Sequence, residues 1–292
     1  MGSARPTRTM NIAGHDIGVC SWSLRPRDTA DLVAQLQRLD LRHAQLALRP
    51  LLFLDDKRKH LELGHLLKSG VVLTAGMIDF PGEDYSSIDM IRKTGGYAPD
   101  DQWSLRLKLT QQAAALGHEL KLNKITTHIG FVPPRGEAGY DTMLGRVRDV
   151  AAALDDKGIS LGMETGQERA EELVQFLEDL KVENVFVNFD PANMILYGAG
   201  DPIEAIGLLA AHIRHVHAKD GTPSLRPGVD WGVEVPFGAG AVGPDRFLDA
   251  LHAVGYAGPI SIEREAGEQR LEDVEFAIRT LRDAAPGASL AN

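Results

Sequence analysis

In the stretch IRHVHAKD, residues 213 to 220, two histidines and a lysine recur at alternate positions. Read as a β-strand, it turns His215, His217 and Lys219 to one side and Arg214, Val216 and Ala218 to the other. Imidazole can ligate a metal or move a proton near neutral pH, and an ammonium can stabilise a developing oxyanion. The same alternation applied to ISLGME sets Ile159, Leu161 and Met163 against Ser160, Gly162 and Glu164. VFVNFD sets Val185, Val187 and Phe189 against Phe186, Asn188 and Asp190, and PISIE sets Ile260 and Ile262 against Ser261 and Glu263. Four strands thus end in an inward Glu164, Asp190, His217 and Glu263, and KITTH adds His128 by the same count. His215, about 7 Å deeper along its strand, reads as a supporting or core residue. Lys219 reads as a rim residue.

Three carboxylates converging on one point repel unless protonated or neutralised, and a divalent cation with one imidazole neutralises them economically. Three oxygen donors and one nitrogen suit Mn²⁺ first, then Co²⁺ or Mg²⁺, better than Zn²⁺. The plainer alternative is four unrelated polar strand ends paired with lysines and arginines.

Such a ring needs a scaffold that brings strand ends together. Candidate strands fall at 16–24, 43–50, 71–80, 124–130, 159–166, 185–193, 213–220 and 259–265. Between them lie amphipathic stretches such as TADLVAQLQRL, MLGRVRDVAAALDDKG, EELVQFLEDL and PDRFLDALHAVG, and LEDVEFAIRTLRDA follows the last strand. Eight strands alternating with helices predict an α/β fold, a (β/α)₈ TIM barrel. No composition break marks a second domain, so residues 1–292 are expected to form one barrel, with 1–14 as a flexible N-terminal extension. The connections 81–103 and 221–242 are long and follow strands. That places both on the catalytic face of a barrel, where such loops serve as lids or binding loops.

Bulk properties narrow the function classes. Lys+Arg number 31 against 41 Asp+Glu, a formal charge of −10, which argues against a broad phosphate-binding surface and hence against nucleic acid. The single Cys20 cannot form an intramolecular disulfide, and no run of about 20 apolar residues could span a bilayer. MGSARPTRTMN lacks the apolar core of a secretory signal. A cytoplasmic protein acting on a small molecule is expected, without membrane or nucleic-acid partners. Nothing in the sequence excludes a homo-oligomer or a partner subunit.

The order METG, NFDPANM, HVHAKD and GPISIERE, across essentially the whole chain, resembles the sugar phosphate isomerase/epimerase family with the xylose-isomerase-like barrel. In its ketose 3-epimerase members a Glu, an Asp, a His and a Glu from strands five to eight hold one divalent metal, and the two glutamates also move protons. The resemblance carries these roles to Glu164, Asp190, His217 and Glu263, the four residues chosen by alternation. Two positions depart from those epimerases. Asn193 stands where they place a substrate-binding histidine, and Pro223 where they place an arginine. NFDPANM, TGGYAPD and WGVEVPFGAG look like a subgroup whose relatives include epimerases and lyases of 3-keto glycosides and inosose dehydratases, which implies an oxidised sugar.

The expected function is therefore a metal-dependent isomerase or epimerase of a keto sugar in carbohydrate catabolism, abstracting a proton α to a carbonyl. Glu164 and Glu263 are its acid and base. A lyase or dehydratase on the same site is the alternative, since the enediolate can expel a β-substituent instead of regaining a proton. His128, Asn193 and Lys219 are expected on substrate oxygens, and Trp22, Trp103 and Trp231 as walls around the sugar ring. A nuclease, which the same barrel also supports, fits poorly with the acidic composition. A non-catalytic sugar binder fits poorly with an intact ligand set. GAGAVG at 238–243 matches G-x-G-x-x-G but follows the seventh strand instead of opening a βαβ unit, so it reads as a turn before the helix that Pro244 starts.

Overall fold

The computed structural model describes residues 9–285. Eight parallel strands close into a barrel: β1 His15–Cys20, β2 His43–Ala47, β3 Val72–Met77, β4 Lys124–Thr127, β5 Ser160–Glu164, β6 Val185–Phe189, β7 Ile213–Ala218 and β8 Ile260–Ile262. Each pairs with its sequence neighbours, and β8 returns to β1 through Ile260↔Ile17 and Ile262↔Val19. Seven strands lie within their expected segments, and β1 starts one residue before its own. Alternation decides their faces: Ile159, Leu161, Met163, Val185, Val187 and Phe189 are buried under the surrounding helices. On the opposite face a Cβ on Gly162 would meet the Phe186 ring at 2.6 Å, so glycine and phenylalanine share the interior between two strands.

Three local features depart from the expected pattern. The sixth segment does not run extended to residue 193. It ends at Phe189, and a helix spans Pro191–Tyr197, because Asp190 caps it with Oδ1 accepting from the Ala192 and Asn193 amides and Pro191 fits the first helical turn. The connection 81–103 contains a helix, Ile88–Thr94, and the connection 221–242 carries the strand Val233–Val235 in an antiparallel hairpin with Asp220–Thr222. Of the expected N-terminal extension, residues 1–8 lie outside the described residues. Asn11–Ile12 folds back on His15–Asp16, with Met10 and Ile12 buried, so this end packs onto the barrel instead of hanging free. Among the described residues no helix is long and apolar enough to cross a membrane.

Both long connections are pinned. Glu83 accepts from the amides of Phe80 (3.0 Å) and Gly96 (2.7 Å), and the buried Arg106 donates to the Gly96 carbonyl. Glu234 accepts from Arg264 (2.7 Å) and from the amides of Glu265 and Ala266, tying the 220–235 hairpin to the loop after β8. GAGAVG folds around the buried Asp220, whose carboxylate accepts from the amides of Gly221, Gly238, Gly240 and Val242 at 2.8–3.0 Å. A Cβ on Gly240 would lie 2.2 Å from Asp220 Oδ1, which is why this run is glycine-rich. It is a cradle for the protein's own carboxylate, and Pro244 opens the following helix. In this structure these hydrogen bonds hold both loops as walls beside the barrel mouth.

Candidate metal and proton-transfer site

At the C-terminal mouth of the barrel, one donor atom from each of Glu164, Asp190, His217 and Glu263 falls within 4.8 Å of all the others, and all four residues are buried. His217 Nδ1 lies 3.2 Å from Glu263 Oε2, 3.4 Å from Asp190 Oδ2 and 3.7 Å from Glu164 Oε1. The strand register pairs Glu164 with Asn188, not with Asp190, and Asn188 in turn with His215. The tilt of the strands about the barrel axis raises each successive strand, so residues two positions beyond the paired ones reach a common level. His215 accordingly sits beneath the ring, as expected from the alternation.

Each ligand-type side chain is held by a specific partner. Asp190 uses Oδ1 to cap its helix, leaving Oδ2 for the site, and its main chain exchanges two hydrogen bonds with Thr165 Oγ1 at 2.8 and 2.9 Å. The Gly166 turn after Thr165 passes so close that a Cβ there would meet Asn193 Cβ at 2.6 Å. This approach lets Asn193 Nδ2 donate to Glu164 Oε1 (3.0 Å), while Asn188 Nδ2 donates to Glu164 Oε2 (3.1 Å). Trp22 Nε1 donates to Glu263 Oε1 (2.7 Å). Glu263 Oε2 is buried without a hydrogen bond of good geometry, although Lys219 Nζ lies 2.9 Å away. A carboxylate oxygen aimed at three other donors and lacking a well-aligned proton suits a cation position.

The imidazoles are fixed by the polar network below. Gln45 Nε2 donates to Thr126 Oγ1 (2.8 Å), which turns Gln45 Oε1 towards His217 Nε2 at 2.7 Å. An acceptor at that distance requires a proton on Nε2, so Nδ1, which faces the carboxylates, is the nitrogen left to ligate a cation once its own proton is displaced. Asn188 Oδ1 lies 2.7 Å from His215 Nδ1, and the His215 Nε2 faces the hydroxyls of Thr74 (3.1 Å) and Ser261 (3.3 Å). Burial pushes the His215 pKa well below its ordinary value. Burial also raises Glu164, with Glu263 and Asp190 adding to the effect. It would raise Asp190 and Glu263 too, but the Lys219 ammonium, then His217, brings both below the ordinary carboxylate range. Burial opposes the charge on His217, yet Cys20 and the surrounding carboxylates hold its pKa well above the usual value.

A cavity of about 650 Å³ opens above this ring. Trp22, His128, Asn193, Lys219, Trp231 and Glu263 all line it. His128 Nε2 lies 3.4 Å from Glu164 Oε1 and its buried Nδ1 has no partner, nor does the Trp231 Nε1. Two expectations fail. Trp103 does not line the cavity, because its ring packs edge-on against Tyr97 and beneath Arg146 at the start of its helix. Lys219 is no rim residue. It is 2% exposed, with Asp190, Glu263 and Glu265 gathered around its ammonium. Sequence reasoning passed over Gln45, the supporting role of Asn188, and Glu265. Gln45 had a signal, an amide at the centre of the short strand HAQLA, on the same face as His43.

The chain matches the family model described as xylose isomerase-like TIM barrel over residues 70–284. A xylose isomerase domain protein from Planctomyces limnophilus is similar in structure, with a TM-score of 0.80 and 30% identity over 87% of this chain and 92% of that one. An L-ribulose 3-epimerase shares the fold at a TM-score of 0.69 and 18% identity, over 94% of this chain and 97% of that one. So does a probable 3-DHS dehydratase, AsbF from Bacillus anthracis, involved in petrobactin synthesis, at 0.68 and 15% over 91% and 98%. No curated protein sequence matches the chain.

Proposed function

The chain belongs to the family of xylose isomerase-like TIM barrels, and from that premise we propose that it is a divalent-metal-dependent isomerase or epimerase of a keto sugar. The observation that carries this reading is the convergence of Glu164, at the end of β5, and Glu263, just past β8, with Asp190 and His217 in one buried cluster next to the cavity that Glu263 lines. Glu164, Asp190, His217 and Glu263 would hold the ion, Mn²⁺ by preference. When bound, it supplies charge that polarises a carbonyl and its neighbouring hydroxyl and so acidifies the intervening C–H. Glu164 and Glu263 take and return that proton. Asn193 and Asn188 orient the first carboxylate and Trp22 the second. Lys219 and His128 face the cavity where they can bind substrate oxygens and steady enediolate charge. The L-ribulose 3-epimerase among the structural relatives supports this assignment.

Solvent deuterium tests it. Incubating the Mn²⁺-loaded enzyme with a turned-over keto sugar in D₂O should place deuterium α to the carbonyl, and Glu263→Gln should slow turnover by roughly 10²- to 10⁴-fold. Turnover of a true substrate without exchange, at an undiminished rate in Glu263→Gln, rejects the mechanism. A lyase or dehydratase outcome is the second reading. It is favoured by the buried Lys219 ammonium, 2.9 Å from Glu263 and 3.3 Å from Asn193 Oδ1, an acid for a departing oxygen that epimerisation does not require. The fold shared with a probable dehydratase supports that reading. Recovery of a stereoisomer means epimerase, whereas release of water or an aglycone means lyase.

A further inference from the structure

Five carboxylates, from Asp79, Glu83, Glu234, Glu263 and Glu265, line the cavity, against the two cationic side chains of Arg49 and Lys219. Glu164 and Asp190, buried beside Glu263 and His217, add two more carboxylates to the same cluster. Even a bound divalent ion leaves the excess negative. Both cations already have carboxylates beside them: Arg49 lies 2.7 Å from Asp79, and Lys219 lies within ion-pair distance of Asp190, Glu263 and Glu265. The charges are fixed by the main chain, since Glu83 is held by the amides of Phe80 and Gly96, and Glu234 by those of Glu265 and Ala266.

We infer that the substrate is an uncharged polyhydroxy ketone and that the cavity rejects phosphorylated and carboxylated sugars, a reading of substrate class that rests on the reaction proposed above. The lining is rich in acceptors and poor in free donors. A hydroxyl meets such a surface by donating to a carboxylate oxygen and still accepting from Lys219, His128 or Asn193. A phosphate or carboxylate only accepts, and here it would face like charge at close range in a partly dehydrated cavity, a juxtaposition that costs on the order of 10²-fold in affinity. The rings of Trp22, Phe80 and Trp231, which also line the space, offer apolar surface to the C–H face of a sugar without adding charge.

The test is equilibrium binding of D-fructose and D-fructose 6-phosphate to Mn²⁺-loaded protein, read by calorimetry, in the parent and in an Asp79→Asn/Glu265→Gln double variant. The parent should bind the ester at least about 100-fold more weakly than the sugar, or not measurably. The double variant, which releases Arg49 and one side of Lys219, should improve ester affinity by about tenfold or more. Ester binding by the parent as tight as that of the sugar, or ester affinity unmoved by the double substitution, overturns the inference. The readout needs no turnover, so its failure leaves the proton-transfer reading intact, and a failed deuterium experiment leaves this result standing.

Discussion

Gln45→Leu isolates the residue that sets the His217 tautomer. Both side chains are fully buried, and Gln45 Oε1 is the one strong acceptor near His217 Nε2, at 2.7 Å, with Cys20 Sγ at 3.7 Å a poor substitute. Leucine preserves the volume and removes the acceptor. A buried N–H left unpaired costs about 1–3 kcal/mol. The metal-free variant escapes that cost by giving up the Nε2 proton and keeping the one on Nδ1, where Glu263 and Asp190 accept it. A cation that takes Nδ1 forces the remaining proton back onto the unpaired Nε2, so the same 1–3 kcal/mol reappears as roughly a 5- to 150-fold loss of affinity. Mn²⁺ titration of chelator-stripped protein by calorimetry measures it. Gln45→Glu keeps an acceptor and should keep parental affinity or better. Parental affinity in a folded Gln45→Leu protein would refute the tautomer argument, and loss in Gln45→Glu equal to that in Gln45→Leu would show that the site needs the amide for another reason.

Asp190→Ala and His217→Ala should each lose bound Mn²⁺ by metal analysis. His215→Ala should retain it with at most about a 10- to 100-fold weakening; full stoichiometry in both of the first two variants would remove the metal site. Asp220→Asn leaves two of the four backbone donors around Asp220, one from Gly221 and three from the 238–242 turn, facing an amide group, and should cost about 3 kcal/mol in urea denaturation with faster proteolysis in that turn. Unchanged stability would count against the carboxylate cradle. Burial pushes Glu168 from 4.5 up to about 7, against the lowering effect of the Val132 amide it accepts from. The folded state therefore favours the protonated form, a contribution fully present below about 4.5 and lost as pH rises through about 7. Glu168→Gln should flatten the fall in denaturation midpoint between pH 5 and 8, and an identical pH profile in variant and parent would contradict this.

The barrel was legible because eight short apolar runs alternate with amphipathic helical stretches, and burial on a closed sheet leaves that periodicity few other solutions. The inward side of each strand was equally legible, since a two-residue repeat permits only two faces. The sixth segment shows where the pattern stops. Asp190 and Pro191 continue its alternation on paper, but a capping carboxylate followed by proline starts a helix, a local hydrogen-bond preference that outweighs the apolar count. GAGAVG reads as a nucleotide motif only until Asp220, 18 residues upstream of Gly238, is seen inside it.

By itself the sequence determined the fold, the four inward ligand-type residues and the depth of His215 relative to His217, because each follows from a period repeated along one strand. Tertiary structure alone decided what lies between strands. Strand tilt lifted Glu164, Asp190, His217 and Glu263 to one level although the register pairs Glu164 with Asn188. Packing of β2 against β7 across the interior put Gln45 against His217 and so chose its proton. The loop after β8 enclosed Lys219 with Glu265, and the helix start at Trp103 turned that ring to Tyr97 and away from the cavity. Such contacts join residues 172 positions apart, as between Gln45 and His217, or 241, as between Trp22 and Glu263, and no local period encodes a distance that only the closure of the barrel makes short.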